Sequence, residues 1–213
     1  MGRFGKCLVA SVLMMAAGIA AAAGAYEDML HAVNNDDEVT VAQLLKKGMD
    51  VNTVGPNGDS LLILAARHGK PQMMKTLLDA RPNVNLRNGD GETALMIAAI
   101  RGHTEAAKQL LDRGAEVNHE GWTPLIYAAT QNRMDIARLL ISRGAQVNAR
   151  SANGFTALMM AAREGHLSMV LLLLEHGADI NLRNPDGHSA LALARERERK
   201  DVVGILLRAG AID

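Results

Sequence analysis

Nucleophilic catalysis is the first chemistry to test for, because it needs a reactive Ser or Cys beside a base and an orienting group. The sequence of 213 residues contains one cysteine, Cys7, and it lies in an apolar N-terminal segment. No Gly-x-Ser-x-Gly elbow and no phosphate-binding loop ending in Gly-Lys-Ser/Thr is present. These residue types predict that the protein is not an enzyme.

Metal and cofactor chemistry is the second possibility, and the spacing of the candidate ligands argues against it. His103 and His166 hold the same position of a sequence repeat, two units apart, so stacked helices would separate their rings by about 20 Å. The turn at 88–91, aligned as a calcium loop, would place Leu86 and Ile97 at ligand positions. We therefore predict no metal and no cofactor, and we expect these histidines to bond backbone groups between units.

The charge balance indicates whether nucleic acid could be a partner. The chain has 23 basic and 23 acidic side chains, and setting aside Arg3 and Lys6 of the N-terminal segment leaves 21 against 23, a net charge of −2. Binding to nucleic acid needs a clustered basic surface. The sequence therefore predicts no nucleic-acid partner.

Residues 1–25 have the pattern of a secretory signal peptide. A basic start is followed by an uncharged run of 19 residues that ends in Ala-Gly-Ala, with small residues at −3 and −1 of a break in composition. An uncleaved membrane anchor is the alternative, since the run is long enough to span a bilayer, although its Ala- and Gly-rich second half favours cleavage. Both interpretations place the remainder outside the cytoplasm, and the Ala-rich style indicates the bacterial periplasm.

A repeat of about 33 residues covers the rest of the chain. A Val-Asn or Ile-Asn pair recurs after each Leu-rich helix end, at 51–52, 84–85, 117–118, 147–148 and 180–181. A second landmark keeps the same phase, in which a Gly and one variable residue precede a helix-capping Ser or Thr. One helix pair cannot bury its apolar stripe alone, but stacked neighbours can, so the pattern predicts an all-α solenoid.

Two motifs give the repeat a family resemblance. Residues 121–129 read Gly-x-Thr-Pro-Leu-x-x-Ala-Ala and residues 110–118 read Leu-Leu-x-x-Gly-Ala-x-Val-Asn, and both resemble the ankyrin repeat. The resemblance extends from residue 26 to residue 213 and implies an ankyrin-repeat solenoid of about six helix-turn-helix units with β-turn fingers. The units run approximately over 26–52, 53–85, 86–118, 119–148, 149–181 and 182–213.

Some positions depart from the repeat. Arg81 replaces the Gly that ends a second helix, so that joint is expected to be strained or rearranged. Asn132 replaces Gly at a turn where the left-handed conformation is tolerated. The fourth unit is three residues short, because its finger is trimmed to His119-Glu120. The charged run at 195–201 is interpreted as the polar face of a terminal cap, with a docking site as the alternative.

The resemblance implies a non-enzymatic protein-interaction module whose finger tips and first helices form a concave binding strip. Residue by residue, it assigns partner-facing positions to Trp122, Tyr127, Phe155, Glu92, Arg163, Glu164 and His188. We expect an aromatic notch beside the shortened finger. Its rings either carry binding energy, as interface Trp and Tyr often do, or fold back to cover exposed backbone.

We therefore expect a monomer, exported to the periplasm, that binds another periplasmic protein. Exported bacterial proteins of this type resemble accessory or inhibitory partners, such as immunity factors that cap a toxin or helpers of an oxidant-defence enzyme. The alternative is a structural scaffold tethered to the membrane by the uncleaved signal segment. A membrane is a partner only in that second case.

Overall fold

The computed structural model describes residues 24–212, and the regular secondary structure in that range is helical. Its twelve helices form six consecutive pairs, which confirms the all-α solenoid. Besides the helices, this part of the chain contains two isolated antiparallel bridges, Val54–Ser60 and Arg183–Ser189, each within a finger. The helices are α1 (24–34), α2 (Glu38–Lys46), α3 (Leu61–His68), α4 (Pro71–Asp79), α5 (Ala94–Arg101), α6 (Thr104–Asp112), α7 (Pro124–Thr130), α8 (Met134–Ser142), α9 (Ala157–Glu164), α10 (Leu167–Glu175), α11 (Ala190–Glu196) and α12 (Lys200–Arg208).

Five of the first helices begin at a buried hydroxyl. Each side-chain oxygen accepts a hydrogen bond from the backbone N–H three residues later, which satisfies a donor that the helix cannot pair internally. The caps are Ser60, Thr93, Thr123, Thr156 and Ser189. The same helices are followed by a left-handed residue that turns the chain into the second helix. Asn132 takes this conformation with φ 53°, as predicted, and Glu198 does so with φ 55°.

Small residues let the first helices pack closely along the stack. Each of α3, α5, α7 and α9 carries an Ala-Ala pair in which both residues are buried, and interhelical distance depends on the side chains at the contact. Neighbouring first helices accordingly pack more closely than neighbouring second helices. The stack is therefore tighter on the first-helix side, which is the side that carries the fingers.

The asparagine of each Val-Asn or Ile-Asn pair joins its unit to the following one. Its Oδ1 accepts a backbone N–H from the next unit at 2.7–3.0 Å, in the pairs Asn52–Asn83, Asn85–Glu116, Asn118–Gln146, Asn148–Asp179 and Asn181–Ile212. The third of these bonds crosses the shortened finger and is 2.8 Å long. The loss of three residues therefore leaves the connection between units intact.

The turn at Arg81, which follows helix α4, is strained but is not rearranged. Arg81 has φ 55°, and its N–H donates to Leu78 O at 3.1 Å. Gly114 makes the matching bond to Leu111 O at 3.2 Å in the next unit. A non-glycine residue in this region costs roughly 1–2 kcal/mol, and the backbone keeps the repeat geometry despite that cost.

The predicted signal segment, residues 1–25, lies outside the described residues except for 24 and 25, which belong to α1. Tyr26, on the same helix, donates its hydroxyl to Val54 O of the next unit at 2.6 Å. Within residues 24–212, none of the helices has both the length and the apolar character needed to cross a bilayer.

Candidate functional site

In three of the four full-length fingers, a polar side chain at the base of the finger holds the residue that precedes the helix cap; the finger at 53–60 has Gly55 at that place. Asn88 Oδ1 accepts the N–H of Glu92 at 2.9 Å, Ser151 Oγ accepts that of Phe155 at 3.0 Å, and Asn184 Oδ1 accepts that of His188 at 2.8 Å. This anchoring fixes the variable residue in three units, and the same position recurs in all five units that have a finger. We call these positions the finger strip: Asp59, Glu92, Trp122, Phe155 and His188.

The shortened finger is closed differently, by a buried histidine. The His119 side chain is 2% exposed, and its Nδ1 lies 3.0 Å from Arg87 Nη2 of the preceding finger. The same Nδ1 lies 3.4 Å from Glu116 Oε2. Since Arg87 can only donate and its contact is the shorter one, we assign Nδ1 as the acceptor of a neutral ring. Burial, together with the charge of Arg87, lowers the pKa of His119. The neutral ring is therefore buried between the shortened finger and the preceding finger.

Trp122 and Tyr127 form an aromatic pair beside this trimmed finger. Their ring centroids are 5.2 Å apart with an interplanar angle of 29°, which is the separation of a favourable stacked pair. Both residues are partly exposed and pack against the core. The Tyr127 hydroxyl donates to Glu92 Oε1 of the preceding unit at 3.3 Å. Burial and the nearby charges of Glu92 and Asp90 raise the pKa of Tyr127 to about 12.

A chain of hydrogen bonds continues from Glu92 toward the N-terminal fingers. Asn88 Nδ2 donates to Glu92 Oε2 at 3.4 Å and to Asp59 Oδ1 at 2.9 Å. Asp59 in turn pairs with Arg67 Nη1 at 2.6 Å. Burial disfavours the charged carboxylate of Asp59, but the hydrogen bonds from Arg67 and Asn88 outweigh that effect and lower its pKa. One polar network therefore links three successive units, two through their fingers and the third through Tyr127 of α7.

The structure brings together three of the seven residues predicted for the site, namely Glu92, Trp122 and Tyr127. Phe155 is partly exposed against the core, but among residues 24–212 it forms no ring stack with the other two aromatics. The expected aromatic notch therefore has two contacting rings. His188 is exposed at the last finger and bonds only through its backbone to Asn184.

Arg163 and Glu164 neutralise each other. Arg163 Nε lies 3.2 Å from Glu164 Oε1, although the approach lacks hydrogen-bond geometry. The Arg163 carbonyl accepts from Arg199 Nε at 3.2 Å. These two residues were predicted to face a partner, and in the structure both are engaged within the chain.

Sequence reasoning missed the groups that connect the site. Sequence reasoning did not predict that Asn88 links Glu92 to the Asp59–Arg67 pair, or that His119 is buried. The pair carried a readable signal, because Asp59 and Arg67 lie eight positions apart in one repeat with opposite charges. The burial of His119 depends on Arg87, which lies 32 residues away in sequence, and no local pattern signals it.

The histidines outside the site have local roles. His166 Nε2 lies 3.0 Å from Thr130 O of the preceding unit, which confirms the prediction of a backbone bond between units for that residue. His103 packs its ring against Gly69, where an added Cβ would come within 2.3 Å of Nδ1. Among residues 24–212, His, Cys, Asp and Glu form no group of three or more placed to hold a metal ion.

Comparison with known families accounts for most of the chain. A model of ankyrin repeats in three copies matches residues 29–120 and 62–151. A second model, of ankyrin repeats in many copies, matches residues 140–194. No curated protein matches the sequence. The matched ranges include the shortened finger and both rings of the aromatic pair.

Proposed function

The chain belongs to the ankyrin repeat family, and from that premise we propose that it is a non-enzymatic interaction module, exported to the periplasm, that binds a partner protein there. Ankyrin repeats indicate a protein–protein interaction module. The finer elements, which are export, an accessory or inhibitory role and a particular binding face, are part of the proposal. The protein would act as a monomer that covers part of its partner.

The observation that carries the proposal is the variation along the finger strip. The capping hydroxyl and the joining asparagine recur from unit to unit. By contrast, the finger-strip position holds a different side chain in each of the five units where it occurs. Because these side chains vary while the backbone of the repeat stays the same, they give the surface a shape and charge that are particular to this protein. Such a surface suits recognition of one partner.

The absence of catalytic groupings supports a binding role over a chemical one. Catalysis needs a nucleophile, a base and an orienting group in one concave site. The capping Ser and Thr hydroxyls are used by backbone N–H groups and are 1–3% exposed. They are therefore neither free to react nor accessible to a substrate.

Export is supported by the pattern of residues 1–25, with its basic start, uncharged run and Ala-Gly-Ala end. Cell fractionation followed by N-terminal sequencing of the recovered protein tests this part. A periplasmic protein that begins near Tyr26 is the expected result. Recovery in the membrane fraction with residue 1 still attached would instead favour the tethered scaffold.

Affinity capture from periplasmic extract tests the binding role. The mature protein should retain a specific partner, and Trp122→Ala should weaken capture by about 2 kcal/mol with little effect on thermal stability. Leu110→Ala is the contrasting control, because Leu110 is fully buried and its truncation should cost about 2–5 kcal/mol of stability. Loss of stability in Trp122→Ala with unchanged capture would show that the ring only covers backbone.

A further inference from the structure

The charge on Glu92 has no counterpart within its own unit. Asp59 holds the equivalent position one unit earlier, and its carboxylate pairs with Arg67 at 2.6 Å. Eight residues after Glu92, where that arginine would stand, the chain has Ile100. Glu92 contacts only neutral donors, the Tyr127 hydroxyl at 3.3 Å and Asn88 Nδ2 at 3.4 Å. Both bonds are long for a charged acceptor.

Two further carboxylates, one on the same finger and one on the next, also lack an ion pair within the described residues. Asp90 is exposed at the tip of the same finger, and Glu120 is exposed on the shortened finger, two residues before Trp122. Within residues 24–212, none of Asp90, Glu92 and Glu120 forms an ion pair. Arg87, the basic residue of this finger, is directed to His119 instead. In the described part of the chain Arg87 has no acidic ion-pair partner either, so the three carboxylates outnumber this basic charge and leave a net negative charge.

The aromatic pair stands within this negative region. Trp122 and Tyr127 are both partly exposed, and the face of an aromatic ring attracts a cation, most strongly when the ring is Trp. A guanidinium group can stack on the ring and hydrogen-bond to a carboxylate at the same time. Rings and carboxylates together form what we call the acidic notch, defined by Asp90, Glu92, Glu120, Trp122 and Tyr127.

We propose that the acidic notch binds a lysine or arginine side chain presented by the partner protein. This inference rests on the proposed function, because it names the chemistry of the partner segment that the finger strip would hold. The cation would lie against Trp122 and take the place of the arginine that the third unit lacks. A segment rich in carboxylate or phosphate groups would be repelled by the same three acids.

The single tryptophan makes a direct test available, because Trp122 fluorescence reports on the notch. The mature protein is titrated at low ionic strength with a capped Gly-Gly-Arg-Gly-Gly peptide, with its lysine counterpart, and with a citrulline peptide that keeps the shape of arginine without its charge. Saturable changes with both basic peptides are expected. Binding of the citrulline peptide should be about tenfold weaker, since its ureido group keeps N–H donors but lacks the positive charge that strengthens the hydrogen bond and is attracted to the ring.

Three variants locate the signal, after circular dichroism and thermal melting confirm that each is folded. Glu92→Gln and Ile100→Arg should each weaken the basic peptides about tenfold, the first by removing the charge and the second by supplying an internal partner. Asp186→Asn is the matched control, because Asp186 holds the Asp90 position at the last finger. Its titration should equal that of the unaltered protein.

Equal response to the arginine and citrulline peptides, the absence of any response, or binding unchanged in Glu92→Gln would overturn the inference. Capture from extract separates this failure from failure of the proposed function. A partner retained equally by the unaltered protein, Glu92→Gln and Ile100→Arg would leave the binding role standing and refute the notch. Peptide binding that depends on Glu92, with no partner captured, would support the chemistry of the notch and count against the proposed function.

Discussion

The second and third units carry an acid at the same place in the same frame, and yet the two acids are in different states. Asp59 is 5% exposed, is paired with Arg67 and has a lowered pKa. Glu92 is partly exposed and has no ion pair within the described chain. The difference comes from one position, because Arg67 in the second unit corresponds to Ile100 in the third.

This comparison shows how a repeat protein can change the state of one acidic side chain without changing its fold. Both acids precede a capped helix, and both accept a hydrogen bond from the same Asn88 side chain. An internal partner turns one acid into a structural element. Within the described residues Glu92 has no such partner, and it stays partly exposed at the surface next to the aromatic pair.

Breaking the second-unit pair should produce the largest effect. Arg67→Ala leaves the buried carboxylate of Asp59 without its cation, and we expect a loss of about 2–3 kcal/mol in the free energy of unfolding. Ile100→Ala is the matched control, because Ile100 lies outside the core cluster and its loss strands no charge. Urea denaturation measures both, and equal effects of the two substitutions would contradict the contrast.

Supplying the missing partner in the third unit should have a smaller effect of opposite sign. Ile100→Arg would let Glu92 form the ion pair that Asp59 has, and we expect a gain of about 0.5 kcal/mol in the free energy of unfolding. A double-mutant cycle with Glu92→Gln isolates the pair. A coupling energy of zero would mean that the third unit cannot reproduce the second-unit geometry.

The charge of Glu92 can also be detected through its neighbour. Burial and the charges of Glu92 and Asp90 hold the pKa of Tyr127 at about 12, so Glu92→Gln should let this phenol ionise at lower pH. Near-ultraviolet absorbance of the phenolate follows the titration, and Tyr127→Phe identifies which transition belongs to this residue. An unchanged transition in Glu92→Gln would show that its carboxylate does not act on the ring.

The smallest effect concerns the histidine that closes the shortened finger. Burial lowers the pKa of His119 below its ordinary 6.5, so the unfolded chain takes up a proton on this ring more readily than the folded protein does. Its contribution to stability is therefore present above pH 6.5 and is lost as the pH falls below that value. His119→Gln should flatten the loss of stability between neutral and mildly acidic pH. Denaturation curves at several pH values measure it, and identical profiles would contradict the assignment.

Much of the frame could be predicted because its causes are local and recur. A capping hydroxyl, a buried Ala-Ala pair and a joining asparagine each act through neighbours at fixed offsets, so reading them needs no coordinates. The strained turn at Arg81 and the left-handed Asn132 were identified by their place in the repeat. The candidate site was predicted only in part, since Glu92, Trp122 and Tyr127 meet there while Phe155 and His188 lie elsewhere on the strip.

The sequence by itself determined the helix pairs, their number, the phase of every cap and the place where a finger is shortened, because these follow from spacing along the chain. Only the tertiary structure decided which side chains of neighbouring units meet Asp59 and Glu92. Arg67 lies in the same unit as Asp59, but Asn88 reaches Asp59 and the Tyr127 hydroxyl reaches Glu92 only because stacked units bring together residues that are 29 and 35 positions apart. The position eight residues after each acid thus sets its ion pairing, and stacking supplies the neutral hydrogen-bond donors around it.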